Sequence, residues 1–275
     1  MKLSRQATLT TSILLAGGLA LTGCSSSAPA ETGGGASQEQ PKKQERQQAP
    51  AAQGPITKEN FADRMSQAMF AAGSVHASMS MAESAEASIE TDMAFAEDPK
   101  KSVAKMTMKG MGMDGEFRFV DGTAFMNLGE KTKNKFVDWA EAPAGTLDVD
   151  AMFSQMSPVA QATAIAEAIR DVDVEADGPE IDGVKTTQLT VTVDTKTMLA
   201  PQMPEGFDID TLAESLGETM VYDVFLGPDD LPRRFVLPAN TGIGTATLDF
   251  SAWGEPVSVK APAANERTDS STLTQ

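Results

Sequence analysis

Apolar residues recur along the chain with two different periods. Between residues 57 and 72, Phe61, Met65, Met69 and Ala72 fall three or four positions apart, the spacing of one helix face. Thr57 suits the N-cap of that helix and Gly73 its stop. From residue 75 the period shortens to two. Residues 75–81 and 87–95 alternate loosely. Residues 103–109 alternate cleanly, with Ala104, Met106 and Met108 on one side and Val103, Lys105, Thr107 and Lys109 on the other. Residues 116–120 and 123–128 flank Asp121-Gly122, a pair that favours a tight hairpin because both residues tolerate positive φ. Residues 135–139 read as one more short strand.

Helical spacing then returns in two consecutive pieces, 148–155 and 158–170. Ser157 can cap the second, and Pro158 suits its first position. Met152, Phe153, Met156, Val159, Ile165 and Ile169 form the apolar stripe of this region. After a turn at Asp182-Gly183, residues 184–194 alternate again, with Leu189, Val191 and Val193 opposite Thr190 and Thr192. A short helix is expected at 210–216. Strands follow at 218–226, 233–237, 245–250 and 257–260, with a turn at Gly227-Pro228-Asp229-Asp230. This order, with its hairpin turns, implies an α+β fold in which helices cover one face of an antiparallel sheet.

The first residues follow another pattern. Lys2 and Arg5 precede a short apolar run at residues 13–21. That run is shorter than the roughly 20 residues needed to span a bilayer, and fits the core of an export signal. It ends at Leu21-Thr22-Gly23-Cys24, an apolar residue and two small ones before a cysteine. This resembles a bacterial lipobox, in which the cysteine thiol takes a diacylglycerol and the chain is cut just before it. Cys24 is the single cysteine of the chain, so it has no intramolecular disulfide partner. Residues 1–23 are therefore read as a signal peptide and Cys24 as a lipid anchor, since two or more acyl chains hold a protein stably to a membrane.

Composition sharpens this picture. The 275 residues carry a formal charge of −17. Removing residues 1–23 takes away two positive charges and no acid, so the mature chain stands at −19. Such acidity repels nucleic acid and anionic lipid. Residues 24–54 comprise the anchor and a Ser, Gly, Gln and Pro-rich linker with little to bury, reaching about 30 Å as a flexible chain. Residues 263–275 read as a second tail. The intervening 55–262 is long enough for one domain with a substantial core. Aromatic residues make up 5% of the chain, yet there are 16 methionines. Methionine fills cores, and it also lines surfaces that must adapt to varied apolar partners.

Catalytic chemistry finds little support. His76 is the single histidine, so a Ser-His-Asp triad would have to use it. A nucleophile elbow and a phosphate-binding glycine loop are both missing, and one histidine is too few for zinc. The acid pairs Asp148/Asp150 and Asp171/Asp173 lack the spacing of a calcium loop and read as solvated charge. No metal or cofactor is expected.

Two segments near the end carry a resemblance. Residues 218–234 give a strand, an acidic turn and Leu231-Pro232-Arg233-Arg234. Residues 247–257 give a strand and Ser251-Ala252-Trp253-Gly254-Glu255-Pro256-Val257. Together they resemble the LppX/LprAFG lipoproteins of actinobacteria, whose fold is similar to LolA and LolB. The resemblance implies a strongly curved antiparallel half-barrel with helices packed on its concave face around an apolar cavity. It implies a membrane-anchored envelope protein that binds acylated lipid or lipoglycan and helps move it from the cytoplasmic membrane, with a lipid exporter as a possible partner. The cavity liners expected on this basis are Met106, Met108, Phe117, Phe119, Met126, Leu128, Met152, Phe153, Met156, Ile165, Ile169, Leu189, Val191 and Val193. Gly254 and Pro256 suit a bend or sheet edge. Arg233 and Arg234 suit either a solvated strand start or a lipid phosphate. Two rivals remain open: an envelope scaffold or accessory protein on the same fold, and a carboxylate-based hydrolase.

Overall fold

Thirteen strands and four helices are arranged around one long antiparallel sheet in the computed structural model, which describes residues 54–82, 84–110, 114–139, 158–200, 208–237 and 244–270. Helix α1 spans Phe61–Ala72. Strands β1 (Ser74–Met81), β2 (Ser84–Ala94), β3 (Val103–Lys109), β4 (Gly115–Val120), β5 (Thr123–Asn127) and β6 (Val137–Asp138) follow. Next come α2 (Pro158–Ala168), β7 (Ile169–Glu175), the small hairpin β8 (Glu180–Ile181) and β9 (Val184–Lys185), and β10 (Thr187–Asp194). Helices α3 (Thr195–Leu199) and α4 (Ile209–Leu216) lead to β11 (Thr219–Leu226), β12 (Pro232–Leu237) and β13 (Ala246–Ser251).

Eleven strands form the main sheet, in the order β6-β5-β4-β3-β2-β1-β13-β12-β11-β10-β7. The sheet is open and curved, a half-barrel whose two ends do not pair with each other. Pairing β1 with β13 joins an N-terminal antiparallel meander to a C-terminal one, in which the β8–β9 hairpin lies between β7 and β10 and helices α3 and α4 lie between β10 and β11. At Asp121 and Gly122 φ is 52° and 70°, and at Asp182 and Gly183 it is 50° and 79°. Both turns therefore use the two positive φ values that match strand twist.

Register makes the sheet two-faced. Reading across one level, Val224 pairs with Phe235, Phe235 with Leu248, Leu248 with Met79, Met79 with Ile89 and Ile89 with Met108. On the opposite face Asp223 pairs with Val236, Arg234 with Asp249, Asp249 with Ser78, Ser78 with Glu90, Asp92 with Lys105 and Lys105 with Arg118. A continuous apolar inner face and a charged outer face result directly from the period-two pattern.

Among the described residues, helices α1 and α2 cover the inner face over β10 and β11. Phe61, Met65, Met69, Ala162 and Ala168 pack with Leu189, Val191, Val193, Tyr222 and Val224 in the main core. Helix α1 ends where Gly73, at φ 79°, donates its N–H to Met69 O at 3.1 Å. Its start differs from the sequence reading: the N-cap position is Asn60, not Thr57. The Asn60 side chain turns back to accept from Thr57 N–H at 2.8 Å, and Phe61 N–H donates to Thr57 O, so Thr57 sits in a preceding turn.

Three further expectations are corrected. Residues 169 and 170, expected to end the helix 158–170, instead open strand β7, in which Val172 and Val174 pair with Val191 and Leu189 of β10 and a register shift brings Ile169 opposite Val193. Residues 257–260 are not a strand. Ordered contacts also continue past residue 262. Phe136 N–H donates to Glu266 O, and Thr268 N–H to Phe136 O, both at 2.8 Å. The Arg267 guanidinium lies 4.7 Å from the Phe125 ring centre, and that of Arg118 lies 4.4 Å from Phe136. This C-terminal segment closes the β6 edge over a small outer-face cluster of Val120, Phe125 and Phe136.

Candidate functional site: an apolar trough

The inner face of β1–β5 carries Met79, Met81, Met93, Met106, Met108 and Met126, with Ile89 and Phe117 between them. Alternation places each methionine on this side because its neighbours Ser80, Asp92, Lys105, Thr107 and Asn127 are polar. The cluster over β3–β5 consists of Ala104, Phe119 and Ala124, with Met93, Phe117 and Trp139 against it, and none of the described helical residues belongs to it. Met79, Ile89, Met93, Met106, Met108 and Phe117 remain half-buried, whereas Leu189, Val191, Val193 and Val224 are 0% exposed. Half of the inner face is thus a packed core. The other half is an apolar trough.

An aromatic row separates the two halves. Tyr222, Phe235, Phe250 and Trp253 follow one another across β11, β12 and β13 with ring centres 6.3, 5.0 and 6.1 Å apart. Burial pushes the Tyr222 hydroxyl pKa upward, as expected for a phenol held away from water. Trp253 donates its Nε1–H to Pro232 O at 3.0 Å, and Gly254, at φ 75°, donates to Ser74 O at 3.1 Å. The Trp-Gly element is therefore a fastening between β13, β12 and the start of β1. Trp139, beside Phe117 at 6.4 Å, differs: its buried Nε1–H has no hydrogen-bond partner among the described residues.

The expected liners divide accordingly. Met106, Met108 and Phe117 lie on the trough floor, while Phe119 and Met126 sit deeper at 5% and 4% exposure. Leu128 lies just past β5, in the turn facing Gly115. Leu189, Val191 and Val193 are on the same face but sealed under helices, so they do not line open space. Ile169 begins β7 and is buried, and Ile165 packs at the edge of the main core. Cys24, Met152, Phe153 and Met156 lie outside the described residues, as do Asp148 and Asp150.

Charged candidates lie elsewhere. His76 is on the outer face, with Nδ1 2.8 Å from Asp92 Oδ1 and Nε2 3.2 Å from Glu90 Oε2. Arg233 pairs with Asp229 at 2.7 Å and Arg234 with Asp249 at 2.6 Å, so both arginines of the Leu-Pro-Arg-Arg segment are held by carboxylates. Sequence reasoning missed Arg64, whose Nε and Nη2 grip Asp230 at 3.1 and 2.7 Å. That bidentate pair ties α1 to the turn between β11 and β12. The one signal the sequence offers is Asp230 in the acidic turn Gly227-Pro228-Asp229-Asp230; in the structure its φ is 60°. Asp194 accepts from Arg170 Nη2 at 2.5 Å and from Thr197 N–H and Oγ1–H at 2.8 and 2.7 Å. The arginine, then the threonine bonds, hold its carboxyl well below the usual carboxylate range. It caps α3 and anchors the start of β7.

Depressions among the described residues lie near the sheet's polar side. One of about 530 Å³ opens at the end of the β3–β4 pair among Thr107, Lys109, Glu116, Asn127 and Asn134, which are polar, with Met108 beside them. Another, about 330 Å³, lies on the charged outer face around Glu90, Asp92, Lys105 and Lys109. Among the described residues no cluster could hold a metal ion, and no helix is long and apolar enough to cross a membrane.

No protein-family model matches the chain, and no curated protein matches it in sequence. Its architecture does match. The crystal structure of the Mycobacterium tuberculosis lipoprotein LppX superposes with a TM-score of 0.50 at 16% identity, covering 74% of this chain and 98% of LppX. The chain shares the LppX fold. At this identity the likeness is one of backbone, which agrees with the half-barrel implied by residues 218–257. Complexes of MucB with MucA, one from Pseudomonas aeruginosa, overlap less, at a TM-score of 0.36 and 13% and 14% identity. They cover 78% and 75% of this chain but 62% and 57% of the matched chains.

Proposed function

We propose that the protein is an envelope lipoprotein, anchored through Cys24, that holds the acyl chains of a lipid or lipoglycan in its methionine trough. The observation that carries this reading is the half-buried apolar floor of β1–β5 beside a core that the helices have already filled. Each methylene taken from water is worth about 0.8 kcal/mol, so an acyl chain has a strong preference for such a floor over solvent. A bilayer offers the same shelter. Moving a lipid between the two is therefore close to balanced, and a carrier needs shielding rather than catalysis. Flexible methionines let one trough accept chains of different length and kink. Transport toward the outer envelope, with an exporter as donor, is the use such a trough would serve.

Trp139 provides an intrinsic reporter, because it sits against Phe117 on the trough wall. In a Trp253→Phe variant, phospholipid with brominated acyl chains is expected to quench the remaining emission saturably. Bromine quenches only at near contact, so quenching of Trp139 no greater than that of free tryptophan would rule out acyl chains in the trough.

A further inference from the structure

The two edges of the main sheet are finished differently. The β6 edge is two residues long and is covered by the chain's own C-terminal segment, through a parallel bridge between Phe136 and Arg267. At the other edge lies β7, seven residues long and paired with β10 alone among the described strands. Its start is pinned: Arg170 meets Asp194, and Lys58 Nζ donates to Arg170 O at 2.8 Å. Its free side is left as a row of backbone donors and acceptors, a template for another strand.

The side chains of β7 say what that strand must be. Asp171, Asp173 and Glu175 are exposed on the outer face, opposite Thr192, Thr190 and Gln188 of β10, so no cation stands across from them. Val172 and Val174 point to the inner face, and Val174, at 45% exposure, is the one exposed large apolar side chain among the described residues. A second copy laid antiparallel on β7 would set carboxylate against carboxylate, which is destabilising. Lysine or arginine at every second position of an incoming strand would instead pair with the acidic row. Its intervening apolar residues would extend the inner face beyond Val172 and Val174.

We propose that β7 docks an extended segment of a partner protein with alternating basic and apolar residues, which joins the sheet as a twelfth strand. The proposal does not depend on the trough holding lipid, and either can fail without the other.

The probe is a nine-residue peptide alternating lysine and valine, added to the full-length protein in an uncharged detergent. Saturable binding is expected, with slowed hydrogen exchange confined to the amides of β7. A triple variant, Asp171→Asn, Asp173→Asn and Glu175→Gln, is expected to weaken binding at least tenfold. The same composition with lysines and valines in two blocks is expected to bind at least tenfold more weakly. Two further peptides, N-methylated on alternate residues of one parity or the other, keep every charge. One should bind normally and the other should fail, since a strand uses one edge. Equal binding by both methylated peptides would show simple charge attraction and overturn the proposal. So would absence of binding at millimolar peptide, protection elsewhere, an unaffected triple variant, or self-association of the chain through β7.

Discussion

Replacing Phe61 with alanine is expected to destabilise the domain by about 3–5 kcal/mol, read as a lowered urea midpoint at unchanged slope. Phe61 is the first residue of α1 and is 1% exposed. It belongs to the cluster in which α1 and α2 meet Leu189, Val191 and Val193 of β10 and Val224 of β11. Truncation removes its ring from a site walled by two helices and a sheet, which cannot collapse to fill the gap. The contrast is Met106→Ala. Met106 lies on the same sheet face but is half-buried on the trough floor, so water can take up the vacated space. Its loss should cost about 1 kcal/mol or less. Equal costs at the two positions would mean that the trough is packed core, and the division between the two halves of the sheet would fall.

Changing Met106 to glutamate should leave the fold in place and lower lipid affinity at least tenfold, a difference of about 1.4 kcal/mol or more. The carboxylate would stand between Thr91 of β2 and Phe117 of β4, the register partners of Met106. In the empty protein it can reach water across the open trough. Under an acyl chain it would be desolvated without a partner, a cost that falls on the bound state alone. The control is the neighbouring residue: Lys105→Glu alters charge one position away but on the outer face, beside Asp92 and Arg118. Titration with brominated lipid, followed through Trp139, should separate the two variants. Equal behaviour would place the lipid off the inner face.

Much of this architecture is legible from alternation alone. Residues 103–109 fix which side of β3 is apolar, and pairing carries that side across the sheet, because a partner strand must match faces. Asp-Gly pairs announce two turns through the positive φ they tolerate. What failed had competing local signals. Ile169 continues the 3.6 spacing of α2 and stands three positions before Val172, out of step with a period of two; only a register shift against β10 brings it opposite Val193 and into the strand. The tail at 263–275 looked disordered by composition, yet Arg267 and Phe136 are brought together by a pairing 131 positions apart that no local pattern encodes. Leu189, Val191 and Val193 were assigned to the correct face. Which part of a face the helices cover depends on where α1 and α2 land, and sequence periodicity does not carry that.

The most direct measurement is the mass of the protein as it leaves the cell envelope. The chain without its anchor, residues 25–275 exported behind an ordinary secretory signal, would be purified without detergent and examined by native mass spectrometry. The expected result is a population carrying one acylated lipid, lost on organic extraction and much reduced in the Met106→Glu variant. A spectrum holding the bare polypeptide mass alone, with no lipid taken up after incubation with envelope lipid extract, would contradict a lipid-holding trough.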